Sequence, residues 1–277
     1  MMPSVNKIAE DARRQMAAAL RNVGPIPFDI SKETKAAVDN INRSFISAIA
    51  PQLEQIQLTL TKQLQDSLVK LRANALPTNL RSVSREIDFD DVLTFVEEEG
   101  ITLYLVPRAS IAKKLLTAPG RSARRAVLGR NLDAIVTDCK AVLSECSEPA
   151  TTFALGFINS GLTSMAADNY PPAQALFTNV LDTLLQTTLT ASERKRMTSH
   201  KEGQGPQSLD LELRKAYVML PIWRSYESYW AENGDPIPTI YSRHASAHGV
   251  SARQYSKRNT VQALMLVTSY VGLLNGL

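Results

Sequence analysis

The sequence predicts an all-α protein, a helical N-terminal region followed by a C-terminal helical bundle, with at most one or two short strands. Three observations carry this. Apolar residues recur at spacings of three and four over most of the chain, as one buried face of a helix requires. Proline and glycine fall mainly between those stretches. Only one run, "ITLYLVPR" at 101–108, has the β-branched and aromatic texture of a strand.

In chain order, residues 3–22 form a modest amphipathic helix that includes Ala17, Ala18, Ala19 and Leu20. Gly24-Pro25-Ile26-Pro27 ends it. Ser31 suits the N-cap of a long helix over 32–75, with Pro51 as a kink or boundary and Pro77 as its stop. Within it Leu53, Ile56, Leu60, Leu64, Leu68 and Leu71 make one apolar stripe, which fits docking on the rest of the chain or on a second copy. Phe89, Val92, Leu93 and Val96 give a short helix over 88–99 its apolar side. After Gly100 the strand-like run, closed by Pro107, is expected to pair in a hairpin or to lie extended against helices. Further helices are expected at 110–117, 121–146, 149–167, 171–190 and 208–232, and from Ser251 or Tyr255 to Leu274. The prolines of Asn169-Tyr-Pro-Pro172 suit a helix's first turn. The charged segment 191–208 reads as an exposed loop, a lid or a nucleic-acid contact, and 231–240 as a second loop. A division at 125/126 separates the N-terminal region from the bundle.

With 277 residues, 44% hydrophobic and 21% charged, the composition is that of a globular protein. A net charge of +4 is compatible with nucleic acid but low for a protein held mainly by phosphate contacts. Cys139 and Cys146 are seven apart on a helix, about 10 Å at the helical rise, too far for a disulfide. They read as small core residues of a reduced, cytoplasmic protein. Lys7, Glu10, Asp11, Arg13 and Arg14 interrupt any signal-like apolar run. The stretch 261–274 contains Gln262, Thr268 and Ser269 and is too short for a bilayer, so it is expected as a buried helix with no membrane role.

No Gly-x-Ser-x-Gly elbow, phosphate-binding glycine loop or Cys-x-x-Cys pair occurs. The chemistry concentrates in Ile240–Gly249, "IYSRHASAHG", which holds two of the three histidines. His244 and His248, four apart, share a helical face as some metal sites require. No acidic residue lies near, since Asp235 precedes by nine and His200 sits in another loop. Alternatively the pair Arg243 and His248 suits metal-free RNA cleavage: imidazole moves protons near neutral pH and guanidinium holds phosphate oxygens. Five steps of an ideal helix leave these residues about 140° apart, so convergence needs Arg243 at an irregular helix start, which the Pro236/Pro238 loop permits. The third reading is structural, an ion-pairing or capping arginine beside satisfied histidines.

Tyr241, Arg253, Tyr255, Lys257 and Arg258 surround the stretch with rings and charge suited to bases and phosphates. Arg121, Arg124, Arg125 and Arg130 read as a solvated helix face. Trp223, Tyr226, Tyr229 and Trp230, spaced along the expected 208–232 helix, read as core or dimer interface.

The hexapeptide Arg243-His244-Ala245-Ser246-Ala247-His248 resembles the arginine, polar residue, three residues, histidine motif of the HEPN (higher eukaryotes and prokaryotes nucleotide-binding) superfamily. Its setting, in a helical region before a final apolar helix, is similar too. The resemblance implies a HEPN-like bundle over 126–277 that homodimerises to bring two motifs together. It implies a metal-independent endoribonuclease with no cofactor, acting in a toxin or phage-defence system, with RNA and an antitoxin or other protein as partners. His248 would be the acid/base residue, Arg243 the phosphate binder and His244 a polar helper. The reading set against it is a non-catalytic helical interaction or assembly protein that uses the 52–71 stripe.

Overall fold

The computed structural model describes residues 73–201, 205–206 and 211–277, and the single position Asn40. The expected helix over 3–22 and the apolar stripe from Leu53 to Leu71 lie outside the described residues. Every element below belongs to one compact unit, Gln65–Leu277. Among the described residues the architecture is helical throughout, with no strand.

A 3-10 turn, Thr78–Val83, precedes ten α-helices: α1 (Phe89–Glu99), α2 (Ala109–Thr117), α3 (Gly120–Arg130), α4 (Leu132–Ser144), α5 (Pro149–Ala166), α6 (Tyr170–Thr188), α7 (Ala191–Thr198), α8 (Leu213–Ser225), α9 (Arg243–Ala247) and α10 (Lys257–Leu274). The centre is α10, in which every residue from Asn259 to Gly272 is buried. A helix buried all round needs neighbours on all sides, and α3, α4, α5, α6 and α8 supply them. Leu264, Leu266 and Val267 are fully buried, each worth about 1.5–3 kcal/mol. Among the described residues no helix is long and apolar enough to cross a membrane. Beside this centre α5 and α6 approach closely at Gly161, where a Cβ would lie 2.4 Å from Cε1 of the buried Phe177.

The run 101–108 is not a strand. Ile101, Leu103 and Val106 are buried in the common core, and side chains replace a strand partner. Asn79 accepts from the Leu105 amide (3.1 Å) and donates to the carbonyls of Leu103 (3.2 Å) and Pro107 (2.7 Å). Ser269 of α10 donates to the Tyr104 carbonyl (2.7 Å). Leu105 takes a left-handed conformation (φ 64°), which breaks the alternation a strand would need.

Other expectations change as well. The single helix expected over 121–146 is two, α3 and α4, parted at Asn131. The position 125/126 falls inside α3, whose Val127 and Leu128 belong to the same core as α1 and α10. The expected loop over 191–208 contains α7, started by a capping box in which Thr190 and Glu193 satisfy each other's backbone amides. The helix expected over 208–232 is only α8 and ends at Ser225. Cys139 and Cys146 are buried and free. Burial pushes the Cys139 thiol up to about 12.

Candidate functional site around Arg243 and His248

The site begins with a short helix. Ser242 caps α9 by accepting from the Ala245 amide (3.2 Å). Arg243 is then the first helical residue and His248 the C-cap, at φ −114° and ψ 5°. Arg243 stands at the first position of α9 and His248 just past its last, and Nη1 of Arg243 lies 3.3 Å from Nε2 of His248. Arg243 thus stands at a helix start, where convergence of the two was expected.

Asp182 on α6 fixes the arginine. Its Oδ2 accepts from Arg243 Nε (2.9 Å) and Nη2 (2.5 Å), while Oδ1 accepts from the Tyr226 hydroxyl. The guanidinium also lies over the Tyr226 ring, 5.6 Å from its centre. Burial opposes the charge of Arg243, but the hydrogen bond and charge of Asp182 outweigh it, so its pKa lies above the usual arginine value. Burial, reinforced by the charge of Asp182, pushes the Tyr226 hydroxyl up, which keeps it a donor. With Nε and Nη2 committed, the fork keeps Nη1 for His248 and for a ligand.

On the expectation of an RNA-cleaving site, Asp182→Asn should separate binding from turnover. It removes a negative charge beside the guanidinium, so a single-stranded RNA should bind at least as tightly. It also loosens the fork, so turnover should fall by about 10²-fold, the scale of an ångström misplacement. Equal losses in affinity and rate would mean that Asp182 only supports the fold.

The rings of His244 and His248 are 5.8 Å apart. The pKa of His244 is lowered, first by burial, then by the charges of Arg243 and His248, with His200 adding to the effect. Its Nδ1 is buried without a partner, so this ring suits a neutral, polar role. His200, assigned from the sequence to another loop, stacks on Trp223 at 4.2 Å between ring centres. Among the described residues no group of three or more His, Cys, Asp or Glu side chains is placed to hold a metal ion.

Of the residues expected to meet RNA, Tyr241 does not qualify. It is 1% exposed, and its hydroxyl donates to Thr178 (3.0 Å). Tyr255 is half-buried and donates to the Ser246 carbonyl, pinning α9. Arg253, Lys257 and Arg258 are exposed. Lys257 pairs with Asp168 (3.1 Å) and lies 4.7 Å from the Tyr170 ring centre. Arg258 passes over Gly129 of α3, near Arg125.

The arginines of α3 are not one solvated face. Arg124 and Arg121 pair with the buried Glu99 (2.7 and 3.4 Å). Arg125 donates to Asn259 (2.8 Å), and burial together with Arg258 and Arg121 lowers its pKa.

Beneath the site Gln254 is fully buried. Its Oε1 accepts from the Ser242 amide (2.9 Å) and from Asn259 Nδ2 (3.3 Å), and its Nε2 donates to the Ile240 (3.1 Å) and Pro238 (3.3 Å) carbonyls. One amide thus ties the 238–242 segment to the start of α10. Sequence reasoning missed Asp182, Tyr226 and Gln254 as parts of this site.

Comparison with family models, with characterised proteins and with solved structures finds no match for this chain.

Proposed function

We propose that the chain is a metal-independent endoribonuclease in which Arg243 and His248 act together on one phosphodiester. The observation that carries this reading is the 3.3 Å contact between Arg243 Nη1 and His248 Nε2, on a guanidinium oriented from behind by Asp182. A pair held in this way, half-buried on the arginine side and exposed on the histidine side, has the two properties the chemistry needs. One group neutralises charge on phosphorus, and the other reaches substrate protons.

In the reaction, a base removes the proton from the ribose 2′-oxygen, which attacks the adjacent phosphorus. The 5′-oxygen leaves as it gains a proton. The products are a 2′,3′-cyclic phosphate and a 5′-hydroxyl. His248 performs one of these two proton transfers. The HEPN resemblance supplies the other from a second copy of the motif in a homodimer, and suggests a toxin or defence setting with an antitoxin or other protein partner. Exposed Arg253, Lys257 and Arg258 add phosphate contacts along the strand.

The test is cleavage of single-stranded RNA in excess EDTA, followed by analysis of the ends. We expect cyclic phosphate and 5′-hydroxyl termini, and no cleavage at a position whose 2′-hydroxyl is replaced by hydrogen. Cleavage that requires a divalent ion, or that proceeds equally in DNA, would rule the mechanism out. A second reading, a non-catalytic interaction protein, draws on Phe153 and Phe157 of α5, one turn apart and 41% and 53% exposed. It takes over if RNA is neither cut nor bound.

A further inference from the structure

We propose that Trp230 is the stacking platform for a nucleobase next to the phosphate at Arg243, and that it makes the site selective for single-stranded RNA. The proposal rests on the ribonuclease reading and adds to it a specificity-determining residue.

From the sequence, Trp230 belonged with Trp223, Tyr226 and Tyr229 on one helix, in a core or at an interface. Because α8 stops at Ser225, Trp230 instead lies in the loop before α9, and its side chain is 47% exposed. An indole left in water forgoes the stabilisation that burial would give it. The loop nevertheless holds it in place. The Trp230 amide donates to Asp235 Oδ2 (2.8 Å), and its carbonyl accepts from the Asn233 amide (3.1 Å). The turn closes at Gly234, whose φ of 79° is open to glycine and costly for other residues. The ring is therefore presented by a hydrogen-bonded turn rather than left at a chain end.

Its neighbours define what it serves. The indole stands at 73° to the His244 ring, 6.0 Å between centres. His244 is next to His248, which contacts Arg243. An aromatic face thus begins a row of rings that ends on the phosphate-binding fork. Bases of a single strand have free faces and stack on such rings whatever their identity, whereas bases in a duplex are already stacked. Three other aromatic residues near the site are occupied. Tyr241 is buried, Tyr255 is tied to Ser246, and Trp223 is covered by His200 with its Nε1 donating to the Ser199 carbonyl (2.7 Å).

The chain has two tryptophans, so Trp223→Phe leaves Trp230 as the sole indole reporter. The probe is a single-stranded 2′-O-methyl RNA of about twelve nucleotides, which has no nucleophilic hydroxyl, and its duplex. We expect the single strand to quench Trp230 emission and the duplex to leave it unchanged. Trp230→Ala should weaken binding of the single strand by about 10- to 100-fold, with Trp230→Phe restoring most of it. Binding with unchanged Trp230 emission and undiminished affinity in Trp230→Ala overturns the stacking role and leaves the ribonuclease reading intact. A blue shift of Trp230 with protein concentration alone means that a second copy covers the ring, which also overturns it. No binding to the wild-type protein defeats both readings.

Discussion

His248→Ala should lower the rate of RNA cleavage by about 10²–10⁴-fold while leaving the melting temperature within about 2 °C of wild type. The two halves of this expectation come from the same geometry. His248 is an exposed C-cap outside the core. Its ring touches Arg243, which keeps its bond to Asp182 without it, and lies 5.8 Å from the His244 ring. Truncation therefore opens no cavity and leaves no buried charge alone. What it removes is the one group of the pair that can exchange a proton with substrate. Arg243→Ala is a poorer probe, because it strands Asp182 with only the Tyr226 hydroxyl and so disturbs packing as well as charge. Arg243→Lys fails differently, since a single ammonium cannot bond Asp182 through two nitrogens and still offer a third to phosphate. A His248→Ala protein that cuts at the wild-type rate would show that the imidazole is not catalytic.

How much of this was legible in the sequence depends on how far apart the cooperating residues lie. The central helix was readable because fourteen apolar-rich positions in a row admit little else, and the prolines at 171 and 172 marked a helix start that the structure has. The position of Arg243 at a helix start was readable too, from the Pro236/Pro238 loop before it. Periodicity failed where burial was absent. Helix α7 is almost wholly polar, so its apolar pattern is silent, although Thr190 and Glu193 carried a capping-box signal that composition obscured. The run 101–108 has the residues of a strand but no partner strand; Asn79 and Ser269, far off in sequence, take that place. The site shows the same limit. Asp182 lies 61 residues before Arg243, and an isolated Asp on an amphipathic helix looks like any solvated residue. Tyr241 misled for the converse reason: its position beside the motif says nothing of which way the ring faces.

Gln254→Leu should destabilise the protein by about 3–5 kcal/mol, a fall of about 10 °C in melting temperature for a unit of this size, and should lower cleavage with it. Leucine nearly matches the volume, so packing is not the cause. The loss is of partners. The Ser242 amide and Asn259 Nδ2 lose an acceptor, and the Ile240 and Pro238 carbonyls lose a donor, in a fully buried site. Each buried polar group left unpaired costs about 1–3 kcal/mol, partly recovered where the chain relaxes. The Ser242 amide belongs to the N-cap of α9, so the same change loosens the start of the helix that aims Arg243. Gln254→Glu distinguishes lost hydrogen bonds from lost volume. A buried glutamate has its pKa raised above the unfolded value of about 4.3. Protonated, its hydroxyl can donate to Ile240 while the other oxygen accepts from Ser242. Its stabilising contribution is therefore fully present below the unfolded pKa and is lost as pH rises through the folded one. Relative to wild type, Gln254→Glu should be closest in stability at acidic pH and fall away towards neutrality, while Gln254→Leu should show a deficit that does not follow this course. Thermal melts of both variants across that range measure the difference. Parallel curves would mean that the amide's hydrogen bonds are not what fixes the segment beneath Arg243.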